Sequence, residues 1–115
     1  MTRDVFVFVE CKDSVPRKAS LELLSVGRQM AARFSSVLCA VVAGSGVKGA
    51  ADTVSEYSDR TILVDDGSLK EYGWDTWGSV LEGVLKKYEP MIVLGTSSMT
   101  GKDLFPRVAA RLKAA

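Results

Sequence analysis

Two glycine-containing loops carry the residue types that could bind a phosphate group. The first, Gly44–Gly49 with the sequence Gly-Ser-Gly-Val-Lys-Gly, fits the GxGxxG pattern and is followed by Asp65 and Asp66. In dinucleotide sites such glycines let the backbone approach a pyrophosphate, and a later acid binds the ribose. That fingerprint belongs to the first strand–helix turn, whereas this loop follows the second apolar run of the chain. Its position therefore favours a plain glycine-rich turn.

The second loop runs from Gly95 to Asp103 and is rich in hydroxyl groups, reading Gly-Thr-Ser-Ser-Met-Thr-Gly-Lys-Asp. Backbone amides, hydroxyls and a lysine at a helix start could hold an anion, because the helix dipole favours negative charge there. The loop is not a P-loop, since five residues separate its glycines and an aspartate follows the lysine. We favour a hydroxyl cap on the last helix. The candidate cofactor-binding residues are Thr96, Ser97, Gly101 and Lys102.

The composition excludes several classes of function. A chain of 115 residues with 47% hydrophobic and 25% charged residues is one globular domain rather than two. Its net charge of +1 is too small to indicate general electrostatic binding to nucleic acids or anionic membranes. No apolar run is long enough for membrane insertion, and we expect a cytoplasmic protein. The chain has no histidine, and Cys11 and Cys39 lack metal-ligand spacing, which excludes catalytic triads and histidine-based metal sites. We predict no catalytic residues and no metal site.

Strand-like and helical segments alternate along the chain. The continuous apolar runs, typical of parallel strands covered on both faces, are Val5–Val9, Val37–Ala43, Thr61–Val64 and Met91–Leu94. The segments with helical spacing are Pro16–Phe34, Val47–Tyr57, Trp74–Tyr88 and Lys102–Lys113. Pro16 suits the first turn of the first helix. Trp74 and Trp77 are predicted to pack in and around the core.

This alternation predicts an α/β fold with a doubly wound, mainly parallel sheet in a three-layer α/β/α arrangement. If the strand order is 3-2-1-4, the ligand crevice lies between the first and fourth strands, beside the loops Glu10–Val15 and Gly95–Gly101. The fourth strand would then lie at an edge although it is apolar enough for the centre. We expect its neighbour to be a further strand of a longer chain. The alternatives are a partner subunit or self-association through the exposed edge.

The last predicted helix has two open interpretations. It contains several basic residues but a single acid, Asp103, which can pair with Arg107 at i,i+4 spacing. One interpretation is a solvated face whose cations complement the helix dipole. The other is a docking surface for a protein partner. The candidate docking residues are Lys102, Asp103, Arg107 and Arg111.

Three segments resemble the N-terminal domain of the electron transfer flavoprotein alpha subunit. They are Val5–Glu10, Lys18–Leu24 and Gly95–Leu112, and the segment from Val41 to Asp66 is similar in order and spacing. The resemblance spans essentially the whole chain, and its most specific part is the final segment. It implies that residues 1–115 form this one domain, with a Rossmann-like fold of the adenine-nucleotide-hydrolase type.

The resemblance also implies a function. Alpha subunits of this family pair with a beta subunit in an electron carrier that passes electrons from dehydrogenases to a quinone reductase or another acceptor. The FAD of the heterodimer is held mainly by a separate C-terminal domain, which the 115 residues do not include. The resemblance thus implies a scaffold without a catalytic site or a cofactor of its own. The alternative is a small adenine-nucleotide-binding module that uses the loops Glu10–Val15 and Gly95–Gly101.

Overall fold

A computed structural model of the chain describes residues 4–96 and 103–107. The strands are β1 (Val5–Val9), β2 (Cys11–Lys12), β3 (Val15–Pro16), β4 (Leu38–Gly44), β5 (Arg60–Asp65) and β6 (Ile92–Leu94). The helices are α1 (Lys18–Arg33), α2 (Lys48–Val54) and α3 (Trp74–Tyr88), with a 3-10 turn at Gly67–Leu69. Residues 103–107 are also helical. None of the helices in this described part is long and apolar enough to cross a membrane.

The main sheet is parallel and has the strand order β5-β4-β1-β6. This order is the predicted 3-2-1-4 arrangement of the four long apolar runs, which is therefore confirmed. β1 lies in the centre, where Val7 pairs with Ala40 of β4 on one side and Leu94 of β6 on the other. Because strands on both sides and helices above and below enclose it, all five residues of β1 are buried. Because both faces of β1 are buried, its sequence is continuously apolar and does not alternate with polar residues.

Helices cover both faces of the sheet and form two cores. Successive residues of a strand point to opposite faces, so Val5, Val7 and Val9 pack with residues of α1 and α2. Phe6 and Phe8 pack on the other face with residues of α3 and with Leu104. The chain is therefore the three-layer, Rossmann-like α/β/α structure that the sequence predicts.

Pro16 does not lie in the first turn of α1, and that prediction is wrong. Val15 and Pro16 form β3, which pairs antiparallel with β2 in a small hairpin, and α1 begins only at Lys18. The chain reverses through Asp13 and Ser14, which both have positive φ, as in the two-residue turns that suit the twist of a hairpin. The predicted loop Glu10–Val15 is therefore an ordered hairpin at the carboxyl end of β1.

The predicted edge position of the fourth apolar run, Met91–Leu94, is confirmed among the described residues, where it contains β6. There β6 hydrogen-bonds to β1 alone, and Val93 is partly exposed. At three residues the strand is short, which limits the backbone that it offers to another chain. What covers this edge stays a prediction.

Gly27 of α1 packs tightly against side chains of the sheet. An alanine Cβ at this position would lie 2.8 Å from both Leu38 Cδ1 and Val7 Cγ2, whereas a Cβ at Gly83 of α3 would meet no described atom within 4 Å. Both glycines are helical, so replacement by alanine gains about 1 kcal/mol of helix propensity at either site. Overpacking at Gly27 costs roughly 1–3 kcal/mol.

We therefore expect Gly83→Ala to raise the free energy of unfolding by up to about 1 kcal/mol and Gly27→Ala to lower it by up to about 2 kcal/mol. Urea denaturation of the two variants measures both changes against the wild-type chain. Equal stabilisation by both substitutions would contradict the close packing of α1 on β1 and β4.

Candidate functional site

The glycine loop after β4 binds a carboxylate of its own chain. The backbone N–H of Gly46 donates to Asp65 Oδ1 at 2.7 Å, and Asp66 N–H donates to the carbonyl of Gly44 at 2.9 Å. Gly46 has φ +70°, a conformation that favours glycine. The hydroxyl of Ser14, at the tip of the hairpin, also donates to the Gly46 carbonyl. The N–H that the GxGxxG pattern would offer to a phosphate is therefore engaged by an anionic side chain.

Asp66 also acts within the local structure. Its Oδ1 accepts a hydrogen bond of 2.9 Å from Ser68 N–H, which caps the 3-10 turn at Gly67–Leu69. The hydrogen bonds from Ser68 lower the pKa of the Asp66 carboxyl. Leu69 at the end of this turn is buried in the core shared with Phe8. Asp65 and Asp66, the two acids at the spacing expected of a ribose ligand, thus stabilise local turns. This geometry agrees with the interpretation of Gly44–Gly49 as a plain glycine-rich turn.

A hydrogen bond crosses the crevice between β1 and β6. Thr96 Oγ1, just after β6, donates to Glu10 Oε1, just after β1, at 3.0 Å. Arg17 Nε lies 3.9 Å from Glu10 Oε2, and Glu10 N–H donates to the hydroxyl of buried Ser20 at 2.9 Å. The Glu10 side chain is only 10% exposed as a result. The structure therefore brings one candidate cofactor residue, Thr96, to the predicted crevice, where it joins the ends of two strands.

Phe105 covers the same end of the sheet. Its ring packs edge-on against Phe8 with the centroids 5.5 Å apart and an interplanar angle of 85°. A Cβ built at Gly95 would overlap the Phe105 ring, so only glycine fits at the end of β6. Leu104 beside it is fully buried. The helical residues 103–107 are thereby anchored over the carboxyl ends of β1 and β6.

The predicted docking residues Asp103 and Arg107 contact each other and the start of α3. Arg107 Nε donates to Asp103 Oδ1 at 3.0 Å, which confirms the i,i+4 pairing expected from the sequence. The guanidinium carbon lies 5.2 Å from the centre of the Trp74 ring, and the hydroxyl of Tyr72 donates to Asp103 Oδ2. We call these four residues the Tyr72 clasp. The role of Asp103 and Arg107 in docking stays a prediction.

The clasp shifts the acidity of two of its members. The hydrogen bond from Tyr72, together with the charge of Arg107, lowers the pKa of the Asp103 carboxyl. Burial and the neighbouring Asp103 carboxylate raise the pKa of Tyr72 to about 12. At neutral pH the clasp therefore contains a neutral phenol, a carboxylate and a guanidinium. This is the protonation state in which each hydrogen bond has its donor and acceptor.

Tyr72 is the member that sequence reasoning missed. It lies 31 residues from Asp103 and outside any periodic segment, so no spacing pattern connects the two. Trp77 next to it packs against Phe8 with the ring centroids 6.2 Å apart, and its Nε1–H donates to the Glu71 carbonyl at 3.1 Å. The expected packing role of Trp77 is confirmed. The remaining candidate residues, which lie outside the described part of the chain, are Ser97, Gly101, Lys102 and Arg111.

The described cysteines and acids offer no metal centre. Within residues 4–96 and 103–107, no three histidine, cysteine, aspartate or glutamate side chains are grouped so that they could hold an ion. Cys39 is fully buried in β4, as expected for a small apolar residue. Burial raises the pKa of the thiols of Cys11 and Cys39 to about 11, with the charge of Glu10 adding to the effect at Cys11. Both thiols are therefore protonated at neutral pH and weakly nucleophilic.

Comparison with known proteins identifies the family. Residues 5–115 match the family model described as the electron transfer flavoprotein domain. The chain belongs to this family. The predicted resemblance to electron transfer flavoproteins is therefore confirmed.

Relatives of this electron transfer flavoprotein domain include alpha subunits. The chain is 34% identical over 110 residues to Protein FixB of Clostridium saccharobutylicum and 33% identical over 111 residues to the electron transfer flavoprotein subunit alpha of Clostridium acetobutylicum. It is also 34% identical over 111 residues to the acryloyl-CoA reductase electron transfer subunit beta of Anaerotignum propionicum. Each alignment covers 96% of this chain and 33%, 33% and 30% of these relatives respectively. The domain thus spans about a third of the length of the curated relatives that it matches.

Proposed function

We propose that residues 1–115 are the N-terminal domain of an electron transfer flavoprotein alpha subunit, acting as a scaffold that pairs with the beta subunit. The heterodimer is an FAD-containing, cytoplasmic electron carrier between dehydrogenases and a quinone reductase or another acceptor. The domain itself is not an enzyme. One observation carries the proposal: the chain's own side chains engage both of the nucleotide-site candidates that the sequence offers, the Gly44–Gly49 loop and the crevice between β1 and β6.

The first of these places is the glycine loop. A pyrophosphate bound there would need the Gly46 N–H, which Asp65 engages at 2.7 Å. The Asp65 carboxylate would also repel the phosphates, because like charges at such distances interact unfavourably. The described residues of this loop therefore do not fit FAD or another dinucleotide. The proposal assigns the flavin of the heterodimer to other parts of the assembly.

The second place is the crevice between β1 and β6. Glu10 and Thr96 are joined across it at 3.0 Å, and the ring of Phe105 covers Gly95 beside it. A ligand would have to displace the Phe105 ring from Phe8 and break a partly buried hydrogen bond. Both changes cost free energy that a small ligand must recover through new contacts. Side chains arranged in this way suit a rigid support better than a ligand cleft.

Co-production with the beta subunit of the source organism tests the proposal. We expect the purified chain and the beta subunit to elute as one species with the mass of a 1:1 complex in size-exclusion chromatography with light scattering. Calorimetry of the chain alone with AMP, ATP, NAD and FAD should show no binding at micromolar concentrations. Absence of the complex would contradict the scaffold function. Micromolar binding of a nucleotide would instead support the adenine-nucleotide module.

A further inference from the structure

Arg107 is an exposed side chain that two contacts hold in one orientation. Its Nε is fixed by Asp103 at 3.0 Å and its guanidinium carbon lies 5.2 Å from the centre of the Trp74 ring, while 52% of the side chain is exposed. Asp103 is held in turn by the Tyr72 hydroxyl. Among the described residues, the terminal Nη nitrogens of Arg107 donate no hydrogen bond. The planar end of the guanidinium is thus oriented, and no residue in 4–96 or 103–107 accepts a hydrogen bond from it.

The stability of the fold does not explain this arrangement. Leu104 and Phe105 already anchor the helical residues 103–107 on the sheet. An exposed i,i+4 ion pair contributes little to stability. Fixing a flexible arginine before binding does, however, remove part of the conformational entropy that a complex would otherwise lose. Arginine, tryptophan and tyrosine are also the residues that carry most binding energy at protein interfaces.

We propose that the Tyr72 clasp is the docking point for a carboxylate side chain of a partner subunit. The two Nη groups of Arg107 donate to the two carboxylate oxygens, and the rings of Tyr72 and Trp74 form an apolar rim around the pair. The sequence of residues 102–113 supports an acidic partner, since it contains four basic residues and one acid. Asp103 beside the site favours a singly charged carboxylate over a doubly charged phosphate, which it would repel more strongly. The inference rests on the proposed function in one respect, which is that the partner is the beta subunit.

Substitution at Arg107, with a matched control on α3, tests this surface. Lys86 is likewise an exposed cation in an i,i+4 ion pair, with Glu82 at 2.9 Å, although the Glu82 side chain is only 13% exposed. We expect Arg107→Ala to weaken binding of the beta subunit at least about 10-fold, as at an interface hot spot. Arg107→Lys keeps the charge but loses the planar fork, so it should weaken binding about 3–10-fold. Lys86→Ala should change the dissociation constant by less than about 2-fold.

Biolayer interferometry with immobilised beta subunit measures these constants, and circular dichroism melting checks that each variant is folded. The inference is overturned if Arg107→Ala binds within about 2-fold of the wild-type chain, or if Lys86→Ala weakens binding as much as Arg107→Ala does. In either case the wild-type complex still supports the scaffold function. If the wild-type chain does not bind at all, the proposed function fails and the docking point with it.

Discussion

Replacing Phe8 by alanine should lower the free energy of unfolding by about 3–5 kcal/mol, the usual cost of removing a buried phenylalanine ring. Phe8 lies on the central strand β1, and its ring contacts Trp77 at 6.2 Å and Phe105 at 5.5 Å between centroids. It therefore connects the sheet to α3 and to the helical residues 103–107. The alanine variant leaves a cavity where these three elements meet. Urea denaturation followed by the fluorescence of Trp74 and Trp77 measures the change.

Phe34 is the matched control, because the same substitution there removes a ring that is 38% exposed at the end of α1. We expect Phe34→Ala to lower the free energy of unfolding by less than about 1 kcal/mol. Comparable losses at the two positions would show that Phe8 does not hold the three elements together. The description of the second core would then be wrong.

Replacing Gly95 by alanine should cost about 2–3 kcal/mol, at the upper end of the range for overpacking. The new methyl group overlaps the ring of Phe105, which must leave its edge-on contact with Phe8. The predicted loss is an effect of one side chain on another, since no other described residue comes as close to the new Cβ. Thermal or urea denaturation gives the size of the change.

A double-mutant cycle isolates this contact. In a Phe105→Ala background the added methyl group meets no ring, so Gly95→Ala should then cost less than about 1 kcal/mol. The difference between the two backgrounds is the coupling between the residues. An equal cost with and without the Phe105 ring would place the origin of the destabilisation in the backbone of residue 95, against the packing described above.

The strand order could be predicted from the continuous apolar runs of the sequence and from the handedness of the connections between parallel strands. β1 and β4 are continuous apolar runs because they are enclosed on both faces, and such runs are readily recognised. Right-handed connections between parallel strands then leave few possible orders. The hairpin of β2 and β3 escaped prediction because each strand has two residues and its turn, Asp13-Ser14, has no glycine to mark it. A proline two residues before a helix also fits the pattern of a first helical turn, which is why the sequence alone places Pro16 in α1.

Individual residue pairs of the candidate site were predictable only where they are local in sequence, whereas the strand order predicted only that the loops after β1 and β6 lie side by side. Asp103 and Arg107 pair across one helical turn, so their i,i+4 spacing predicts the contact. The contact of Tyr72 with Asp103 spans 31 residues, and the contact of Glu10 with Thr96 spans 86. Such distant pairs depend on how two helices and two strand ends meet, which no spacing rule encodes.

The bond between Asp65 and Gly46 has a consequence for how this fold could change. An anion receptor at the glycine loop would require removal of the acid and withdrawal of the Ser14 hairpin tip from the Gly46 carbonyl. Removing the acid alone leaves the hairpin seated on the loop, and withdrawing the hairpin alone leaves the negative charge. Neither single change creates an anion site at the glycine loop. A cofactor site after β4 would therefore require at least two substitutions together.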